Sequence, residues 1–396
     1  MAKEAFLKQM KILYVYSSLA DKGGTERMLT EKINYLTDHF GYDVTIINCY
    51  QNMDMPNTFA LSKSVKQINL GIPFFSQYKY KYPSRIWVKR KINKQTQVGI
   101  NKAVQDIKPD ILIGTCRVLG NIICNINCNA KKIIECHEVK YTIFDIGVKR
   151  SAFSKFFLKI YEYFYFRTIE QKADIIATLT KQDKKLWKKA KHIEVIPNFS
   201  SMPISQFSDC TQKRVIAVGR LDWDKGFGRL IEIWSFVSSR YPDWHLDIFG
   251  DGDMYNTLKT LVKLFKTKNV TIHSFSNNIS QEYSNSSICA VTSYIEGFSL
   301  VLLEALKHGV PCVAFDCPFG PRNIINDASC GFLVNNGDIR LFAERLCFLI
   351  ENEQLRKDFS KAAIQQAKKF DVDIIMNKWK CLFENCLKEK DDNSIN

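Results

Sequence analysis

What this sequence lacks narrows its reading first. No apolar run is long enough to cross a bilayer, and the first one, Ile12 to Tyr16, is too short for the core of a secretory leader. A cytoplasmic location is the expectation that follows. The sequence holds thirteen cysteines, but they are scattered singly. The nearest pair, Cys124 and Cys128, has no second pair and no histidine at ligand spacing, so reduced thiols are expected rather than a zinc site. The dinucleotide spacing G-x-G-x-x-G is absent after the first strand, and no repeat with a period of roughly 20–50 residues is visible. No recognised nucleic-acid-binding motif is found, and no nucleic-acid partner is expected.

What is present is an ordinary globular balance with an unusual charge. Apolar residues make up 46% and charged residues 24% of 396 residues, too long a chain for one core, so two domains are expected. The formal net charge of +15 points to a polyanionic partner: nucleic acid, an acidic membrane surface or a phosphorylated substrate.

Short apolar runs alternate with helical spacing along the whole chain. Lys11–Tyr16, Val44–Ile47, Asp110–Gly114, Lys132–His137, Asp174–Thr178 and Ile193–Asn198 read as strands of one parallel βαβ series. Polar, turn-prone residues from Ser200 to Gln212 read as a linker. The series then restarts with Arg214–Gly219, His245–Gly250, Val270–His273, Ile288–Thr292 and Pro311–Phe315. The fold class expected is α/β with two Rossmann-like, doubly wound domains. The expected division is 1–199, 200–372 and a terminal segment 373–396 whose helix packs back on the first domain and whose tail is frayed.

The most telling residues are Glu296 and Glu304. The loop Glu296-Gly297-Phe298 leads through Ser299 and Leu300 into a helix that is apolar on nearly every side. A carboxylate buried in such a helix needs donors, and a ribose diol would give Glu304 two hydroxyls. Free N–H groups at the helix start near Ser299 suit a phosphate. Glu296, one turn earlier, would then face whatever the phosphate carries. This geometry reads as a nucleotide-sugar site, with Glu296, Gly297, Phe298, Ser299, Leu300 and Glu304 as donor-binding candidates.

Gly219-Arg220-Leu221 ends the first strand of the second half, and Lys225-Gly226 follows. Cations at the carboxyl end of a parallel strand lie where doubly wound sheets bind ligands. Arg220 can fork onto two phosphate oxygens and Lys225 adds a point charge. Together they would offset a diphosphate leaving group without a metal; two solvated charges in a turn are the plainer alternative. Gly250, in Phe249-Gly250-Asp251-Gly252-Asp253, offers backbone contact at the same edge. In the first half, Gly23-Gly24-Thr25 opens a helix, either as a ligand-contacting loop at Gly24 or as a plain turn with Thr25 as N-cap. His137 ends a strand, where it either hydrogen-bonds a sugar hydroxyl or serves the core. Two D-x-D tripeptides, Asp222-Trp223-Asp224 and Asp251-Gly252-Asp253, sit in turns explained otherwise, so no metal is expected.

Two stretches mix aromatics with cations. Phe74 to Lys94 interleaves Phe75, Tyr78, Tyr82 and Trp87 with Lys79, Lys81, Arg85, Lys89 and Arg90. Lys149 to Arg167 mixes Phe153, Phe156 and Phe157 with Arg150, Lys155 and Lys159. Both suit peripheral contact with an anionic membrane, and both also suit a core-facing helix with a solvated basic face.

Read together, GGTER at 23–27, VGRLDWDKG at 218–226, IFGDG at 248–252 and above all EGFSLVLLEALKHGVPCVAFD at 296–316 resemble the retaining glycosyltransferases of the GT-B fold, family four (glycosyl transferases group 1). The last stretch matches that family's E-x7-E element, and the resemblance spans nearly the whole chain. It implies two Rossmann-like domains facing across a cleft and a nucleotide-sugar donor held mainly by the second domain, with no cofactor and no metal. It gives Arg220 and Lys225 the donor diphosphate, Glu304 the ribose, Glu296 the transferred sugar, His137 the catalytic-side histidine and Gly24 the donor-contacting loop glycine. Catalytic roles are thus expected for Glu296, His137, Arg220 and Lys225. Cys317-Pro318-Phe319-Gly320-Pro321 resembles a subset that builds exopolysaccharide or lipid-linked glycans, often from UDP-hexoses. The implied acceptor is a glycan or a polyprenyl-linked glycan. A sugar-nucleotide epimerase or hydrolase on the same scaffold, and a non-catalytic nucleotide-sugar or glycan-binding protein, are the alternatives.

Overall fold

The structure is a computed structural model and describes residues 9–81, 83–140, 152–326 and 328–392. The chain divides into two compact units, Met1–Ile196 with Met376–Asn396, and Pro197–Ile375. The boundaries read from the sequence, after 199 and 372, each differ by three residues from these (199 against 196, 372 against 375). Residues 393–396 of the expected tail lie outside the described residues.

The first unit runs β1 (Lys11–Tyr16), α1 (Gly24–Asp38), β2 (Asp43–Asn48), β3 (Lys66–Asn69), α2 (Ser84–Ile107), β4 (Ile111–Thr115), α3 (Gly120–Cys124), β5 (Lys131–Cys136), α4 (Ala152–Lys172), β6 (Ile175–Thr178), α5 (Lys181–Lys184) and β7 (Ile193–Val195). Its sheet is parallel, in the order β3-β2-β1-β4-β5-β6-β7. Ile12 stands between Val44 and Ile111, and Tyr14 between Ile46 and Ile113. Strands covered on both faces must be apolar at every position, and Ile12, Leu13, Tyr14 and Val15 are all buried.

The second unit repeats the plan with β8 (Arg214–Val218), α6 (Phe227–Arg240), β9 (His245–Phe249), α7 (Tyr255–Leu264), β10 (Val270–His273), α8 (Ile279–Ser284), β11 (Ile288–Val291), α9 (Leu300–Lys307), β12 (Cys312–Asp316), β13 (Gly331–Asn335), α10 (Ile339–Glu351) and α11 (Glu353–Ala367). Its parallel sheet is ordered β10-β9-β8-β11-β12-β13. The last helix, α12 (Val372–Asp392), starts here, and from Met376 onward belongs to the first unit.

Several local readings change. β3 and β13 were not expected from the sequence. Lys66-Gln67-Ile68-Asn69 has no apolar run because it is an edge strand, defined by its ladder to β2. Thr25 is not the N-cap of α1: Gly23 is, and no side chain caps the helix. Ser200–Gln212 is no free linker, since the Ser208 amide donates to the His308 carbonyl at 2.9 Å and its hydroxyl to the Ser286 carbonyl at 2.6 Å. Phe74–Lys94 is not one helix. A 3-10 turn covers Phe74–Lys79, and α2 starts after Pro83, where a fixed φ and a missing N–H suit a helix start. All thirteen cysteines are free thiols.

Candidate active site

The strand order of the second unit reverses at its centre. β8 continues outward to β9, and its neighbour β11 continues outward to β12 on the other side. Loops leaving the carboxyl ends of two such strands diverge, and that gap is where doubly wound sheets bind ligands. Here they are residues 219–226 and 292–299.

Backbone packing fixes both loops. Gly250 has φ +154°, and a Cβ there would fall 1.9 Å from the Gly219 carbonyl oxygen. Gly219 N donates to Phe249 O at 3.0 Å, and Leu221 N to Asp251 O at 2.8 Å, so the turns after β8 and β9 lie backbone on backbone. Gly226 is left-handed, at φ +65°, with room for no side chain: a Cβ would sit 2.1 Å from the Thr292 oxygen. Thr292 Oγ1 donates to Gly226 O at 3.1 Å, Tyr294 N donates to Asp224 O at 2.8 Å, and Trp223 stacks on Tyr294 at 4.6 Å. These contacts bring Lys225 to Glu296.

Lys225 Nζ donates to Glu296 Oε1 at 2.9 Å, and Ser293 Oγ donates to the same oxygen at 2.6 Å. Asp224 lies 3.7 Å from the ammonium. Burial alone would lower the Lys225 pKa, but Glu296 and then Asp224 outweigh it and hold the ammonium above its ordinary range. Arg220 stands close enough to act on Lys225 electrostatically. Its side chain is mostly exposed and pairs with Asp222 at 3.2 Å.

Arg229, which the sequence reading did not single out, organises this edge. It is buried on α6, where Nε donates to Thr292 O at 2.6 Å, one Nη to Ser293 O at 2.6 Å and the other to Asn336 Oδ1 at 2.9 Å. Its guanidinium also lies 4.0 Å from the ring centres of Tyr294 and Phe315. Nothing in the sequence separates it from a solvated helix arginine, because its partners are carbonyls more than sixty residues away.

Ser299 is the N-cap of α9, yet its side chain caps nothing. Its hydroxyl is buried without a hydrogen-bond partner among the described residues. An orphaned hydroxyl beside the free amides of a helix start can serve a bound oxyanion. Phe298, buried, packs edge-on against Phe370 at 5.5 Å, and Gly297 lies in the bend between it and Glu296. Leu300 opens the helix and Glu304 lies buried in its second turn, accepting from Tyr283 Oη at 3.4 Å. The Cys317–Pro321 segment packs on the same loop. Glu296 and Phe319 form an isolated bridge, and a Cβ on Gly320 would stand 2.6 Å from Glu296 Cβ.

His137 and Gly24 belong to the first unit. His137 Nε2 lies 3.1 Å from Glu135 Oε2, and the same carboxylate takes a 2.5 Å bond from Lys32 Nζ. Burial would raise the Glu135 pKa, but Lys32 and His137 outweigh it and lower it to about 2. His137 Nδ1 is buried with no hydrogen-bond partner among the described residues. Gly24 is exposed in the first turn of α1, followed by Glu26, which accepts from Tyr16 Oη at 2.5 Å.

The D-x-D carboxylates are engaged separately: Asp222 with Arg220, Asp224 with Lys225, and Asp251 with the Phe275 amide. Among the described residues no group of three or more His, Cys, Asp or Glu is placed to hold a metal, and no helix is long and apolar enough to cross a membrane.

A parallel sheet edge carrying paired Lys225 and Glu296 before a helix start with an orphaned hydroxyl is a place where an anionic ligand can bind. The chain matches the model of the family Glycosyl transferases group 1 over residues 202–366. It is 29% identical over 385 residues to the amylovoran biosynthesis glycosyltransferase AmsD of Erwinia amylovora, with 93% of this chain and 98% of the relative covered. It is 24% identical over 375 residues to a Campylobacter jejuni N-acetyl-D-galactosaminyltransferase acting on a diNAcBac-PP-undecaprenol glycan, covering 93% and 97%. Among solved structures, an S. aureus TarM variant in complex with Fondaparinux, alpha-GlcNAc-glycerol and UDP matches with a TM-score of 0.73 at 16% identity, covering 95% of this chain and all of that one. That likeness confirms the GT-B fold.

Proposed function

We propose that this protein is a retaining, metal-independent glycosyltransferase that moves a hexose or N-acetylhexosamine from a UDP-sugar to a glycan or polyprenyl-linked acceptor in cell-surface polysaccharide synthesis. The observation that carries the reading is the Lys225–Glu296 pair at the sheet's reversal point, one turn ahead of the orphaned Ser299 hydroxyl. The acceptor class is supported by what AmsD and the Campylobacter enzyme are named for, and the uridine base by the UDP held in TarM.

In this reading the donor diphosphate lies against the amides of α9 and draws on the Arg220 and Lys225 cations. Glu304 takes the ribose hydroxyls and Glu296 faces the sugar. Gly219, Gly250 and Gly297 allow close approach of backbone to ligand. His137, through its unpartnered Nδ1, meets a sugar hydroxyl, and Gly24 lies in a donor-contacting loop.

The bond from the sugar C1 to the β-phosphate oxygen breaks while the acceptor oxygen bonds to C1 on the same face. The acceptor's proton passes to the leaving phosphate oxygen, so UDP departs and the anomeric configuration is kept. Fixed cations aimed at the oxygen where charge develops stabilise this departure, and no covalent intermediate is needed.

The test is incubation of the protein with a panel of UDP-sugars, with and without polyprenyl-diphosphate-linked and free glycan acceptors, in the presence of a chelator. UDP release that depends on the acceptor, with a product of unchanged anomeric configuration by NMR, is expected. Turnover of donor without acceptor would instead make it an epimerase or hydrolase. Binding without any product would make it a binding protein.

A further inference from the structure

The two aromatic, basic stretches have no role in the reaction above, and the structure shows what they do not do. Over much of their described length they do not face the core, although Gln77, Ile92, Tyr165 and Phe166 are buried. Residues 84–91 of α2 contribute no buried position, and burial begins at Ile92. In α4, residues 156–164 likewise contribute none, and burial begins at Tyr165. The amino-terminal turns of both helices therefore project from the first unit.

These turns and the 3-10 turn before α2 expose large apolar rings: Phe75 is 74% exposed, Trp87 68%, Phe156 60% and Phe164 62%. Ile86 and Ile160 are exposed beside them. The pieces adjoin, because Lys89 Nζ lies 5.1 Å from the Tyr161 ring centre and the Arg85 guanidinium 4.3 Å from that of Tyr78. Tyr82, Lys149, Arg150 and the side chains of Phe153 and Lys155 lie outside the described residues.

The charge on the α2 side of this face has one sign, while α4 carries Glu162 along with Lys159 and Arg167. Residues 55–105 hold ten lysines and arginines and not one aspartate or glutamate. A random surface mixes signs, and a core-facing helix would turn its rings inward. An apolar aromatic crest set among an excess of cations suits one kind of surface. The rings enter the boundary between headgroups and acyl chains while the ammonium and guanidinium groups meet lipid phosphates. Nucleic acid would use the cations, but Phe75, Phe156, Ile86 and Ile160 would stay in water on a duplex, which offers only charged backbone to them.

We propose that this face of the first unit docks the protein on an anionic phospholipid bilayer. The inference is independent of the donor and acceptor assigned above, and its test needs no turnover.

The experiment is co-sedimentation of the full chain with vesicles of phosphatidylcholine alone or with about a third phosphatidylglycerol, at about 0.1 M and about 0.5 M salt. Binding to the anionic vesicles should exceed binding to the neutral ones about tenfold at low salt and fall steeply at high salt. Trp87→Ser with Phe164→Ser, and separately Lys89→Glu with Arg90→Glu and Lys91→Glu, should each reduce it about tenfold while melting temperature stays unchanged. The charge-reversed variant alters exposed side chains alone, so it remains a test if the ring variant folds poorly. Equal binding to neutral vesicles, wild-type binding by the charge-reversed variant, or preferential capture by an RNA competitor would each overturn the proposal. So would a dimer in solution that only the ring variant dissociates, since a second copy would then cover the face.

Discussion

Lys225 and Glu296 stand 71 residues apart in the chain and 2.9 Å apart in space. The contact joins the loops after two neighbouring strands whose connections run opposite ways, so either side chain reports on the other. With Ser293 sharing the Glu296 oxygen, the carboxylate is aimed before any ligand arrives.

Lys225→Ala and Glu296→Gln should each lower kcat/KM for transfer by about 100- to 1,000-fold, the scale of losing one aimed electrostatic group. Circular dichroism and melting temperature should stay close to wild type. In the double variant the losses should be less than additive, because each single change already breaks the pair. Near-normal product formation by both single variants would refute the assignment.

Arg229→Lys should act through stability. One ammonium cannot reach Thr292 O, Ser293 O and Asn336 Oδ1 together, and the Thr292 and Ser293 carbonyls are buried. A loss of about 2–4 kcal/mol in urea unfolding is expected, with weakened UDP binding as the 292–299 loop loosens. Retained stability with lost binding would show instead that Arg229 touches the ligand.

In the first unit, Glu135→Gln would leave the Lys32 ammonium buried beneath the Trp379 ring, 4.1 Å from its centre, with no charge partner in Glu135. The expected cost is about 3–5 kcal/mol, and pairing the change with Lys32→Met should recover much of it. If the double variant unfolds as easily as the single one, the pair is not the source of the stability.

His308 gives a pH prediction. Burial, and then the neighbouring Lys307, lower its pKa from 6.5 to about 4. The folded value lies below the unfolded one, so the stability it contributes is present above pH 6.5 and is lost as pH falls through that window toward 4. Its Nδ1 faces the Glu304 carbonyl at 2.7 Å and Nε2 the Ser280 hydroxyl at 2.8 Å, contacts a glutamine amide can partly replace. Unfolding free energies of wild type and His308→Gln should therefore converge as pH drops from about 7 to 4.5, with wild type losing up to about 3 kcal/mol relative to the variant. Parallel curves would exclude His308 as the titrating group.

The parallel strands were legible in the sequence because burial on both faces forces continuous apolar runs, as in Ile12–Val15 and Val215–Ala217. The placement of Glu296 in a loop, Ser299 at a helix start and Glu304 in a buried helix was legible because the three follow one another within a single local stretch. β3 was not, since an edge strand needs a ladder rather than an apolar run. Arg229 was not, since a guanidinium bound to distant carbonyls leaves no local trace. The sequence by itself determined which residues carry charge at the strand ends, because periodicity and turn chemistry are local. Only the tertiary structure decided that β8 and β11 are neighbours and that Lys225 meets Glu296, because strand order is set by long-range packing. It alone turned the aromatic crests of α2 and α4 away from the core, since helical spacing defines a face but not what that face meets.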